Sequence, residues 1–148
     1  MKNEINDYKP ILIHKDSRIQ CLARHVEKEV LVKIKQQFER DQGNYFPSKS
    51  LLFRGAINSV YEYAKTIDKE ILFNIYSKFR NLKSNNNDKK ITTEAFRILN
   101  DDTAKQLNFI TNQIYLAKGY GHKISNKSSL IRFVLFVFNE QKLNIINK

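Results

Sequence analysis

The stretch KSLLFRGAI at residues 49–57 returns as KSSLIRFVL at residues 127–135. The two share Lys-Ser-x-Leu-(Phe/Ile)-Arg-x-(Ala/Val)-(Ile/Leu), and 127 − 49 = 78 residues separate them, a little over half of the 148-residue chain. A helix start written twice at that distance constrains the fold more than composition does. It asks for two similar units in a chain long enough for one compact domain or two very small ones. Each copy is preceded by a capping residue, Ser48 or Asn126, whose side chain can satisfy a first-turn N–H. Each carries one apolar stripe. Leu52, Phe53, Ala56, Ile57 and Val60 form the first, and Leu130, Ile131, Val134, Leu135 and Phe138 the second, 78 residues on at every position. That spacing marks one face of a helix.

The duplication extends upstream. RIQCLARH at residues 18–25 reads as a strand, and from Glu27 to about Arg40 the apolar Val30, Ile34 and Phe38 recur at helical spacing. Asp41-Gln42-Gly43-Asn44 breaks that helix. In the second half TEAFRIL at residues 93–99 alternates as a strand does, with Phe96 and Ile98 on one side and Arg97 on the other. Asn100-Asp101-Asp102 then caps a helix carrying Leu107, Ile110, Ile114 and Ala117, which Gly119-Tyr120-Gly121 ends. Aligning the strands pairs Ile19 with Phe96 and Cys21 with Ile98, an offset of 96 − 19 = 77.

Between the halves, residues 66–82 predict a further helix, capped by Thr66 or Asp68 and striped with Ile71, Leu72, Ile75 and Phe79. KSNNNDKK follows as a polar linker. The expected organisation is an arm at residues 1–16 containing the strand-like ILIH, a first strand–helix–helix unit at 17–65, a linker helix and flexible linker at 66–91, and a second unit at 92–148.

Twenty-six Lys and Arg against fifteen Asp and Glu give a net charge of +11. With 41% hydrophobic residues the chain has enough for a core. The basic excess suits a polyanion, nucleic acid before membrane. Cys21 is the only cysteine, which excludes an intrachain disulfide and suits a reducing, cytoplasmic setting. The N-terminal residues lack the pattern of a signal peptide. The most apolar run, LIRFVLFVF, is nine residues long and contains Arg132, too short to span a bilayer. His14 and His122 lack partners at metal or catalytic spacing, and phosphate-binding loop, paired-carboxylate and nucleophile-elbow motifs are missing. No cofactor, metal or catalytic residue is therefore expected.

Strand, helix, turn, then a helix opening Lys-Ser-x-Leu-(Ile/Phe)-Arg-x-(Ala/Val) resembles the ribbon-helix-helix family, the Arc/MetJ class of DNA-binding proteins. FRILNDDTAKQL resembles that family's strand and first-helix start. The resemblance covers residues 18–64 and 93–140. It implies a mainly α fold with a short two-stranded antiparallel β-ribbon: a tandem pseudo-dimer within one chain, with the linker helix as an addition. Strand 18–23 would pair with strand 94–99 of the same molecule, Cys21 and Ile98 pointing inward near each other. The family inserts its ribbon into the major groove of double-stranded DNA, which admits one. By that likeness Arg18, Gln20 and Arg97 are the candidate base contacts. Arg can grip guanine and Gln adenine with two hydrogen bonds each. The family anchors phosphates at the start of each second helix, where free N–H groups and the dipole attract an anion. Those positions are Ser48, Lys49 and Ser50, then Asn126, Lys127 and Ser128. Single-chain tandem members occur among relaxosome accessory proteins of conjugative plasmids, which act beside a relaxase; others in the wider family repress transcription.

Two other readings remain. Arg18 and His25 have an R-x6-H spacing, loosely similar to the motif of the helical HEPN ribonucleases, in which a His beside a basic group serves RNA cleavage. Helix 127–140 is also apolar almost all round, since Phe133, Phe136 and Val137 lie off its stripe. Such a helix is buried on more than one side, either beneath helix 66–82 or against a second protomer or partner protein.

Overall fold

The computed structural model describes residues 13–14, 18–82, 92–97, 101–117, 124 and 126–145. They are mainly helical. The order is β1 (Arg18–Ala23), α1 (His25–Gln42), α2 (Lys49–Ala64), α3 (Lys69–Arg80), β2 (Thr92–Arg97), α4 (Asp101–Leu116) and α5 (Lys127–Glu140). KSNNNDKK, Ile98, Leu99, Asn100 and Gly119-Tyr120-Gly121 lie outside the described residues.

Local chemistry sets the boundaries. Gly43 closes α1 in the left-handed region, φ 63°, and its N–H and that of Asn44 both reach the Phe38 carbonyl. This is a Schellman-type stop that a Cβ would strain. Ser48 Oγ accepts the Leu51 N–H at 3.2 Å and opens α2. Asn126 Oδ1 does the same for Ser129 at 2.7 Å and opens α5. Asp68 stands at the cap of α3 with no side-chain capping bond, so the helix starts three residues later than the predicted 66. Thr66 Oγ1 instead donates to the Tyr63 carbonyl, ending α2.

β1 and β2 pair antiparallel, Arg18 opposite Arg97, Ile19 opposite Phe96, Gln20 opposite Ala95 and Cys21 opposite Glu94. The second strand thus runs two residues earlier than 94–99. It begins at Thr92, where two adjacent threonines supply β-branched residues opposite Ala23 and Leu22. Cys21 consequently faces Glu94 in register rather than Ile98.

The helices cover the strand pair from the opposite halves of the chain. β1 packs against α5 and β2 against α2. α1 packs on α5, α4 on α2, and α2 on α5. Exchanging the halves (β1 for β2, α1 for α4, α2 for α5) maps this set of contacts onto itself. The strand register agrees with that exchange: Ile19 and Phe96 are both cross-strand partners and the residues matched by the 77-residue offset. A two-fold relation between the strands therefore passes through that pair.

One core fills the space. Val30, Ile34 and Phe38 of α1, Phe53, Ala56, Ile57 and Val60 of α2, Leu107, Ile110 and Ile114 of α4, and the whole α5 stripe are buried. On α3 the buried face is Leu72, Phe73, Ile75 and Tyr76, with Phe79 partly buried. Ile71, expected in that stripe, is 46% exposed. The helix is rotated so that the aromatic rings of Phe73 and Tyr76, which remove more surface than an isoleucine, face inward. α3 packs on α4 and α5. Phe133 lies edge-on to Tyr76 at 5.2 Å and tilted to Phe79 at 5.7 Å, and Phe136 sits 5.5 Å from Phe79. The extra helix thus covers the second apolar side of α5.

The arm is tied down at Ile13, which is buried. Asn108 of α4 grips its backbone twice, Oδ1 accepting the Ile13 N–H at 2.8 Å and Nδ2 donating to its carbonyl at 2.9 Å. Ile13 and His14 are in neither helix nor strand, and the rest of ILIH lies outside the described residues.

Candidate nucleic-acid interface

Strand geometry sends successive side chains to opposite faces. On β1 this separates Arg18 and Gln20, both exposed, from Ile19, Cys21 and Ala23, all buried. The two polar candidates therefore share the face of the strand turned away from the helices. Arg97 is brought directly opposite Arg18 by the register, while its side chain lies outside the described residues.

The core face beneath is held neutral at Cys21. Burial, with a smaller contribution from the Glu27 carboxylate, raises its thiol from 9.0 to about 12. At neutral pH it stays protonated and packs as a small apolar group.

The helix starts lie where the strands end. Ser48 and Asn126 are exposed and their side chains are engaged as caps. Ser50, Lys127 and Ser128 are half-buried in the first turns. Lys49 is exposed but ion-paired with Glu94 of β2. A lysine at the first helical position opposes the helix dipole, and Glu94 offsets that while fixing the start of α2 to the strand. Among the described residues Lys127, its repeat counterpart, has no acidic partner.

Sequence reasoning missed Glu27. This carboxylate is 4% exposed. Its Oε1 lies 3.2 Å from Arg24 Nε and 3.2 Å from Arg132 Nε of α5. It also reaches the Arg24 backbone N–H at 3.5 Å, the contact by which an acid at the third helical position caps a helix start. That position was the available signal. Arg132, noted only as an interruption of an apolar run, is what the acid compensates. The R-x6-H pair is split between elements: Arg18 is on β1, and His25 begins α1 with Nε2 2.9 Å from Glu29.

No helix among the described residues is long and apolar enough to cross a membrane. No protein-family model, curated protein or solved structure matches the chain.

Proposed function

We propose that this chain is a sequence-specific double-stranded DNA-binding protein of the ribbon-helix-helix kind, a pseudo-dimer within one chain. It would insert the strand pair into the major groove, with Arg18, Gln20 and Arg97 reading base edges. The helix starts at Ser48-Lys49-Ser50 and Asn126-Lys127-Ser128 would hold the flanking phosphates. The observation that carries this reading is the exchange relation. Strand register, helix pairing and the repeated helix start all centre on Ile19 and Phe96, and β1 turns its polar side chains away from the helices. The net charge of +11 supports a polyanionic partner. Such a protein would serve as a relaxosome accessory factor acting with a relaxase, or as a transcriptional regulator, in the cytoplasm.

The reading is tested by replacing Arg18, Gln20 and Arg97 together by Ala. The fold should persist, because the two described side chains are exposed. Sequence preference should disappear, each lost bidentate contact removing roughly 1–3 kcal/mol of discrimination. Binding is measured on a duplex selected from a random pool and on unselected duplex. An unchanged affinity ratio would show that the strands are not the reader.

A further inference from the structure

The turn between α1 and α2 displays an aromatic residue in a way its repeat counterpart does not. Phe46 is 92% exposed and Tyr45 is 63% exposed. The residue 78 positions on from Phe46 is Ile124, which is 1% exposed. Each stands two residues before the cap of its helix. One half buries this position and the other presents it to solvent.

The presentation is held by the backbone. Asn44 N–H is tied to the Phe38 carbonyl at 3.1 Å, and Asn44 Oδ1 accepts the Phe46 N–H at 3.2 Å. Pro47 fixes its own φ, and Ser48 caps α2. The ion pair of Lys49 with Glu94 then fixes the start of α2 to β2. An apolar ring placed in water by so constrained a turn is set up for a contact made elsewhere.

From this we infer that Phe46 is a DNA contact at one end of the bound site, set against a base step in the minor groove that flanks the major groove holding the strands. The inference rests on the DNA-binding reading above and adds a contact to it. The sugar-phosphate strand that borders the major groove also borders the adjacent minor groove. A phosphate held by the first turn of α2 therefore puts that minor groove next to the preceding residues. Two residues of chain reach at most about 7 Å, so Phe46 stays at the anchored phosphate. Single apolar side chains used as wedges against base steps are an established mode of minor-groove contact. A protein partner fits less well. Protein docking needs a contiguous apolar patch, and the other large exposed hydrophobics, Val26, Val32, Ile71 and Leu82, belong to α1, α3 and the segment after it. Because Ile124 is buried, only one flank of the site receives the wedge, and the complex acquires a direction.

The test uses the full chain and the duplex recovered by repeated selection from a random pool. Phe46→Ala should weaken binding about tenfold, within the range removed by losing one base–aromatic contact. Phe46→Leu, which keeps an apolar wedge, should retain most of the affinity. With 2-aminopurine at the flanking step, the wild type should raise fluorescence at one end of the duplex only, and Phe46→Ala should not. Phe46→p-benzoylphenylalanine should crosslink to that same end. If the wild type selects no duplex, the DNA-binding reading falls and this contact with it. If duplex is bound but Phe46→Ala binds equally well, or the crosslink goes to a second copy of the chain, the wedge alone is overturned.

Discussion

The second helices of the two halves share a cap, an opening and a buried stripe, yet they are covered on their outer side by different material. Position 55 of α2 is Gly, and 55 + 78 = 133 is Phe in α5. A Cβ at Gly55 would fall 2.9 Å from Ile145 Cδ1 and 3.1 Å from Phe38 Cζ. The missing side chain admits the C-terminal segment. That segment is held further by Ser59 Oγ donating to the Asn144 carbonyl at 2.9 Å and by the Ile145 N–H donating to Gln37 Oε1 at 2.6 Å. On α5 the same position carries a ring, and α3 lies over it. The repeated positions hold the strands and the shared core. The unrepeated ones decide what covers each half, and that removes the equivalence two identical units would have.

The largest effects should come from breaking that difference directly. Phe133→Ala should destabilise the chain by about 3–5 kcal/mol, because a fully buried ring would leave a cavity between α3 and α5. Gly55→Val should destabilise by about 1–3 kcal/mol, through overpacking against Phe38 and Ile145. Truncating Ile145 to Ala should relieve part of the Gly55→Val penalty and none of the Phe133→Ala penalty. Urea unfolding of the single and double variants measures all three. Equal relief in both would mean that the two coverings are not separate.

A smaller difference lies in the arginines of the repeated motif. Arg132 has Glu27, whereas its counterpart is Arg54, since 132 − 78 = 54. Matching the first helices by 76 or 77 residues brings Glu27 onto Thr103 or Ala104, neither of them acidic. Glu27→Ala should therefore destabilise one half specifically. Breaking a buried pair costs about 3–5 kcal/mol. Here Arg24 and Arg132 keep 15% and 24% side-chain exposure, and screening lowers the expected loss to roughly 2–3 kcal/mol. Glu27→Ala combined with Arg132→Met should recover much of it. No recovery would place the importance of Glu27 in capping α1 rather than in compensating Arg132.

These comparisons show what the sequence made legible. Ser48 and Asn126 announced their helices because capping chemistry is local. The stripes of α1, α2, α4 and α5 announced themselves because a helix packed on one side leaves a clear period. The mainly helical character followed from these. Glu27 was not legible in the same way, since an acid in a first turn ordinarily reads as solvated and its burial depends on Arg132 arriving from 105 residues away (132 − 27). The rotation of α3 was hidden because Ile71, Leu72, Phe73, Ile75 and Tyr76 offer two overlapping faces, and only the packing of Phe133 selects between them. The segment after α5 reads as polar, yet Leu143 and Ile145 pack because Gly55 leaves room. The strand boundary shifted by two residues because register is set by the opposing strand. For the proposed interface, the alternation of β1 was legible. The tie between Lys49 and Glu94 was not, because it joins residues 45 apart in sequence (94 − 49).

That tie gives the finest test of the difference between the halves. The first helix start has a lysine neutralised by Glu94, and the second has Lys127 with no acidic partner among the described residues. If both starts hold phosphates, they should respond differently to the removal of charge. Lys127→Ala should weaken selected and unselected duplex about equally and lower the salt slope by about 1, since phosphate contacts position the protein without reading sequence. Glu94→Gln should act in the opposite sense at the other end. It keeps the side-chain size, removes the competing carboxylate and leaves Lys49 free to meet the polyanion. Binding to both duplexes should tighten by a similar factor, with a salt slope steeper by up to about 1. Cys21 lies opposite position 94, so loss of strand pairing would also change its reactivity. Slow thiol labelling in Glu94→Gln, as in the wild type, shows that the strands remain paired. Tighter binding with slow labelling would establish Glu94 as a brake on one end of the site. Unchanged binding with slow labelling would place the start of α2 away from the DNA and leave α5 as the only helix start anchoring a phosphate.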